Sequence, residues 1–116
     1  MTYDIHDRIF EFIIKVIDLT KLLPKTAQNL MIINQLMRSA TSMGANDQEA
    51  DGALSKKDFV HCYIIVRKEG KETLFWLKLI DRTNPKLGLK IEPTIKEGNE
   101  IIAIVSTIVK KSNTHI

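Results

Sequence analysis

The 116-residue chain has little of what secreted, membrane-spanning or disulfide-built proteins rely on. Its one cysteine, Cys62, excludes an internal disulfide framework and fits a reducing compartment, where a lone thiol serves as a small apolar side chain. No long uninterrupted apolar run opens the chain: IFEFIIKVI is broken by Glu11 and Lys15, and the preceding MTYDIHDR carries acids where a signal peptide carries lysines. A cytoplasmic location with no membrane association is therefore expected. Aromatics make up only 6% of residues, and the 3 prolines and 5 glycines fall mainly where helices can end, so an all-α chain is favoured. Charge of one sign is also scarce in excess. The net +3, from 17 Lys+Arg against 14 Asp+Glu, is too small to imply a nucleic-acid partner by itself. At this length one domain, residues 1–116, buries on the order of two thirds of its unfolded surface and needs no metal staple.

Four periodic segments are present. From Asp4 to Leu23, the residues Ile5, Ile9, Phe12, Val16, Leu19 and Leu23 share one helical stripe, flanked by Phe10, Ile13, Ile14 and Ile17. Pro24 ends this helix, and Thr26 caps a second with Leu30, Ile33, Met37, Ala40 and Gly44 in line. Ala40 and Gly44, four apart, allow a neighbouring backbone to come close. Ser55 and Asp58 form a capping box ahead of a third helix whose core face is Phe59, Cys62, Val66, Gly70, Thr73, Leu77 and Ile80. After the turn-rich RTNPKLGLK, Pro93 suits the first turn of a fourth helix bearing Ile91, Ile95, Ile102, Val105 and Val109, with Ile101, Ile104 and Ile108 beside them. Together these predict an up-and-down antiparallel four-helix bundle. Helices one, three and four carry more apolar surface than one face needs, which predicts burial against further copies of the chain.

The stretch ANDQEADGALSKKDF, Ala45 to Phe59, has two readings. Asp47, Glu49, Asp51, Gly52 and Asp58 fall on the register of a calcium-binding EF-hand loop, but the twelfth position wants a bidentate glutamate and no second loop is present. The alternative is a helix end, a tight turn at Gly52 and the Ser55 cap. The hinge is preferred, and no metal or cofactor is expected.

The run QLMRSATSMGAN at Gln35 to Asn46, then Glu49–Ala50, SKKDF from Ser55, KEGKET from Lys68 and Trp76–Leu77, resembles the bacterial four-helix bundle protein family encoded by intervening sequences in 23S rRNA genes. Relatives of that family include the accessory variability protein of diversity-generating retroelements. The resemblance covers nearly the whole chain and is strongest from helix two through helix three. It implies a bundle assembling as a pentameric barrel with a basic central channel, and nucleic acid or a reverse transcriptase as partner. Asp47 departs from the family pattern, which usually has isoleucine or tyrosine there. Cys62 stands where a lysine is frequent, and Gly70 replaces a more usual alanine.

No catalytic constellation stands out. His61 and Cys62 are adjacent on a helix and diverge by about 100°. His6, His61 and His115 lack ligand spacing, and Glu69 and Glu72 are more simply read as ion-pair partners than as an acid/base pair. One charged pattern carries more. Arg67, Lys71, Lys78 and Arg82 lie within roughly 60° of one line on helix three, with Lys57 and Lys68 near its edge. A solvated face ordinarily mixes signs. The stripe fits either RNA or DNA, or a protein such as a polymerase bound through the same surfaces, and a merely solvated face is the third reading. Phe75 and Tyr63 are available for stacking but are read as core or interface residues.

Overall fold

The computed structural model describes residues 4–113, which form four α-helices and one short 3-10 turn. The helices are α1 (Ile5–Leu22), α2 (Ala27–Asp51), α3 (Lys56–Thr83) and α4 (Gly88–Asn113). Each of the first three opens on a side-chain cap that takes up an otherwise orphaned N–H. Asp4 accepts from the Asp7 N–H at 2.9 Å, Thr26 from Asn29 at 3.1 Å and Ser55 from Asp58 at 3.1 Å. Between α2 and α3 the chain turns at Gly52, whose N–H returns to Glu49 at 3.0 Å. This is the hinge expected from the sequence. Glu49 and Asp51 lie on the last turn of α2 rather than on a loop wrapped around an ion.

The start of the fourth helix differs from expectation. A 3-10 turn, Pro85–Leu87, runs directly into α4 because Gly88 already has helical angles (φ −53, ψ −40), so the helix begins before Pro93 and contains it. Pro93 cannot donate to the carbonyl of Leu89. Leu89 is strongly exposed, so water can satisfy that oxygen and the helix continues.

Packing runs around a square: α1 on α2, α2 on α3, α3 on α4 and α4 on α1, with no close backbone approach across the diagonals among the described residues. The core joins Ile9, Phe12 and Val16 of α1, Leu36 and Met43 of α2, Val66, Leu77 and Ile80 of α3, and Ile91, Ile101 and Val105 of α4. The α3 face agrees with the sequence reading, except that Phe59 is only partly covered. On α2 the inward line is Asn29, Ile32, Leu36, Ser39, Ala40, Met43, Asp47 and Ala50, rotated by about one residue from the apolar stripe of Leu30, Ile33, Met37 and Gly44. The cause is three buried polar residues, each paired with α3 or its cap. Asn29 exchanges amide hydrogen bonds with Asn84 (3.3 and 3.2 Å), Thr73 donates to Ser39 at 2.8 Å, and Tyr63 donates to Asp47 at 2.8 Å. No described buried side-chain nitrogen or oxygen lacks a partner.

Glycine sets how closely the helices approach. A Cβ on Gly98 of α4 would stand 2.7 Å from Leu74 Cδ2 and 3.1 Å from two ring carbons of Phe12, both in the core. One on Gly44 would meet only Ile13 Cδ1, at 2.7 Å, and that half-exposed side chain can swing aside. The two glycines should therefore respond oppositely to alanine. Gly98→Ala should destabilise by about 1–2 kcal/mol through overpacking, despite alanine's better helix propensity. Gly44→Ala should be neutral or slightly stabilising. Denaturant unfolding of both variants measures the difference, and equal effects would show that the close approach at Gly98 is not the constraint.

Candidate nucleic-acid interface

The outer face of α3 is where the structure gathers the cations singled out by the sequence. Lys71, Lys78 and Arg82 are exposed, Arg67 is half-buried, and Lys57 and Lys68 are exposed at the edge of the same face. They arrive there because α3 turns Val66, Gly70, Thr73, Leu77 and Ile80 inward, leaving the opposite side to water. Two acidic residues of α3, Glu69 and Glu72, are drawn off sideways. Arg38 of α2 reaches across to Glu69 at 3.1 Å and to Glu72 in a very short contact, and this guanidinium holds the Glu72 carboxyl below its usual range.

The arginines off the stripe are structural. Arg8 of α1 grips Glu97 of α4 with two bonds, at 2.8 and 3.1 Å, and touches Glu100 at 3.3 Å. By contrast, Arg67, Lys71, Lys78, Arg82 and Lys57 make no ion pair with any described residue, and Lys68 contributes only through the influence of its charge on Glu72. Among the described residues, the stripe is thus a row of cations without an ion-pair partner. The groove beside it, between α3 and α4, does carry Asp81, Glu92 and Glu100 along with Lys96 and Asn99, so the positive band is narrow.

Two aromatic residues were read alike from sequence and separate in the structure. Tyr63 is 2% exposed and belongs to the core, whereas Phe75 is 56% exposed on the cationic face. The signal for Phe75 was available in its spacing, four residues after Lys71 and three before Lys78.

A second polar cluster, not anticipated, lies at one end of the bundle. Asp47, 1% exposed, accepts from Tyr63 and has both carboxylate oxygens within 2.9 and 3.0 Å of His6 Nδ1, while His6 Nε2 is 3.3 Å from Asp51. Burial, then the bond to Asp47, pushes the Tyr63 phenol well above its ordinary value, so it is a fixed donor rather than an acid. The cluster binds α1, α2 and α3 together. His61 is exposed while Cys62 is buried, and burial pushes the Cys62 thiol up, the opposite of an activated nucleophile. His115 lies outside the described residues. Among the described helices, none is long and apolar enough to cross a membrane.

Comparison with known proteins agrees with this architecture. The sequence model of one family, described as 23S rRNA-intervening sequence protein, matches residues 1–107. A crystal structure of a protein of unknown function from the S23 ribosomal protein family of Bacteroides thetaiotaomicron is similar at 33% identity and a TM-score of 0.84. The match covers 92% of this chain and 99% of that one. No curated protein matches.

The His6 cluster makes stability depend on pH in a defined direction. The hydrogen bond to Asp47 is the largest influence raising His6 above its ordinary 6.5, with the charges of Asp47, Asp51 and Asp4 adding to it and partial burial opposing. The folded state therefore holds this proton more tightly than the unfolded state. Its contribution is complete below 6.5 and is lost as pH rises through the raised value. Thermal melts taken stepwise upward from pH 6.5 should show a falling Tm for the native chain and a flatter profile for His6→Ala. Parallel profiles would remove His6 as the cause.

Proposed function

The chain belongs to the 23S rRNA-intervening sequence protein family, and from that premise we propose that it is a non-enzymatic, self-associating protein that binds RNA or DNA through the outer face of α3. The observation carrying this reading is the row of Arg67, Lys71, Lys78 and Arg82, unpaired among the described residues, on a helix whose Glu69 and Glu72 are engaged by Arg38. Lys57 and Lys68 extend the row. Such a surface neutralises phosphates and releases their counterions, which gives affinity with little sequence preference, since long cations on a helix carry no evident base-reading group. The link to 23S rRNA in the family's description makes structured RNA the first ligand to test.

One chain offers two or three phosphate contacts, too few for useful affinity at physiological salt, so the reading needs several copies around one axis. An apolar groove of about 470 Å³ between α1 and α2, lined by Ile9, Phe10, Ile13, Ile14 and Ile17, supplies a surface for that association. Phe10 is 62% exposed there. The α4 flank contributes less, because Ile101 is buried and Ile102 lies against Gly70. The family resemblance makes a pentamer the expected assembly. A protein partner such as a reverse transcriptase, bound through the same face, is the competing reading.

Two measurements test this. Affinity for structured RNA and for duplex DNA, followed against salt, should fall and lose salt dependence in Lys71→Glu with Lys78→Glu. Unchanged affinity and slope in a variant of native mass would make protein binding the better reading. Light scattering should give a mass several times that of one chain, reduced by Phe10→Glu. A single-chain mass for the native protein at micromolar concentration would end the assembly argument.

A further inference from the structure

The cationic stripe of α3 has an aromatic ring at its centre. Arg67, Lys71, Phe75, Lys78 and Arg82 follow one another at steps of three or four residues, so each side chain is the next-turn neighbour of the one before, along about 22 Å of helix. Phe75 leaves more than half its surface to solvent, yet its ring is braced from within. It meets Trp76 edge to face, with centroids 4.8 Å apart and planes at 71°. Trp76 is half-buried, and its Nε1 donates to Glu72 at 3.4 Å. Glu72 is in turn held by Arg38 of α2. A chain of contacts from the neighbouring helix thus limits where the Phe75 ring can lie.

Resting on the nucleic-acid reading above, we infer that Phe75 is a stacking platform for an unpaired base, and that the α3 stripe takes single-stranded nucleic acid in preference to duplex. In a duplex each base has both faces covered by its neighbours, whereas an unpaired base can offer a face to a ring. Cations one turn away on either side of Phe75 are placed to meet the flanking phosphates. A two-fold contact between copies is disfavoured at the same spot, because covering Phe75 with the equivalent face of another subunit would bring two rows of unpaired cations together.

The experiment compares one oligonucleotide sequence, as RNA and as DNA, single-stranded and annealed to its complement, across a salt series. The proteins are the native chain, Phe75→Leu and Phe75→Tyr. Because Phe75 is exposed, neither substitution disturbs the core. Phe75→Leu should weaken single-strand binding by roughly 10-fold, leaving the salt slope and duplex affinity unchanged, and Phe75→Tyr should bind like the native chain. Trp76 is the only tryptophan, and its emission should change when the single strand binds and not when the duplex binds. Equal single-strand affinity in native and Phe75→Leu proteins overturns the platform while leaving the phosphate-binding stripe intact. Loss of assembly mass in Phe75→Leu also overturns it, by making Phe75 a contact between chains. Absence of binding to any of the nucleic acids at low salt defeats both this inference and the reading beneath it.

Discussion

The register between α2 and α3 is the constraint on which the rest of this bundle depends, and buried polar pairs set it. Stepping along α2, Asn29, Ser39 and Asp47 meet Asn84, Thr73 and Tyr63 in turn, as antiparallel helices require. An apolar seam tolerates a slip of one turn with modest loss. Here the same slip would orphan several buried donors and acceptors, at about 1–3 kcal/mol each. Asp47 and Tyr63 are the most demanding pair, since both are almost fully covered. Satisfied polar networks of this kind make a core less forgiving and better specified.

Once that register holds, charge on α3 is sorted by geometry. Glu69 and Glu72 lie on the flank facing α2, where Arg38 takes both. Arg67, Lys71, Lys78 and Arg82 lie on the far side and meet no acid close enough to pair. The closing helix is held in a similar way, through Arg8 on Glu97 and Glu100. Exposed ion pairs contribute little individually, but one guanidinium engaging two carboxylates from another helix adds orientation as well as energy. The contrast between engaged and unengaged cations has a physical basis: the former lie at helix–helix seams, the latter on a surface with nothing of this chain opposite.

Much of this was legible in the sequence. The caps at Thr26 and Ser55, the α3 core face and the cationic stripe depend on local spacing, which the sequence carries directly. What was not legible depended on partners far away in the chain. An apolar count along α2 misplaces its inward face by about 100° because it treats Asn29, Ser39 and Asp47 as surface residues. Their partners on α3 and its cap are what make burial affordable. His6 appeared isolated because its carboxylate partner lies 41 residues away. Helix four was started late because proline at its first turn is the commoner arrangement, whereas here a 3-10 turn leads in from Pro85. Hydrophobicity alone leaves Phe75 and Tyr63 alike as core or interface residues, whereas the ladder of lysines and arginines around Phe75 marks the outer face.

The departures from the family pattern can be placed by the same logic. Cys62 points into the core on the side of α3 away from the stripe, so a lysine at that position would have to extend past its neighbours to reach water and would not join the outer cations. Its absence removes nothing from the surface on which the functional reading depends. Asp47, where the resemblance implies isoleucine or tyrosine, is a larger change, because a buried carboxyl without partners would be costly. The chain supplies two, His6 from α1 and Tyr63 from α3, with Asp51 completing the imidazole's second contact. An aspartate there makes a junction that joins three helices and responds to protons. That junction lies at the α1 N-terminal end of the bundle, whereas Phe75, Lys78 and Arg82 lie further along α3 from Tyr63. The departure therefore alters how this bundle is held together and leaves the stripe unchanged.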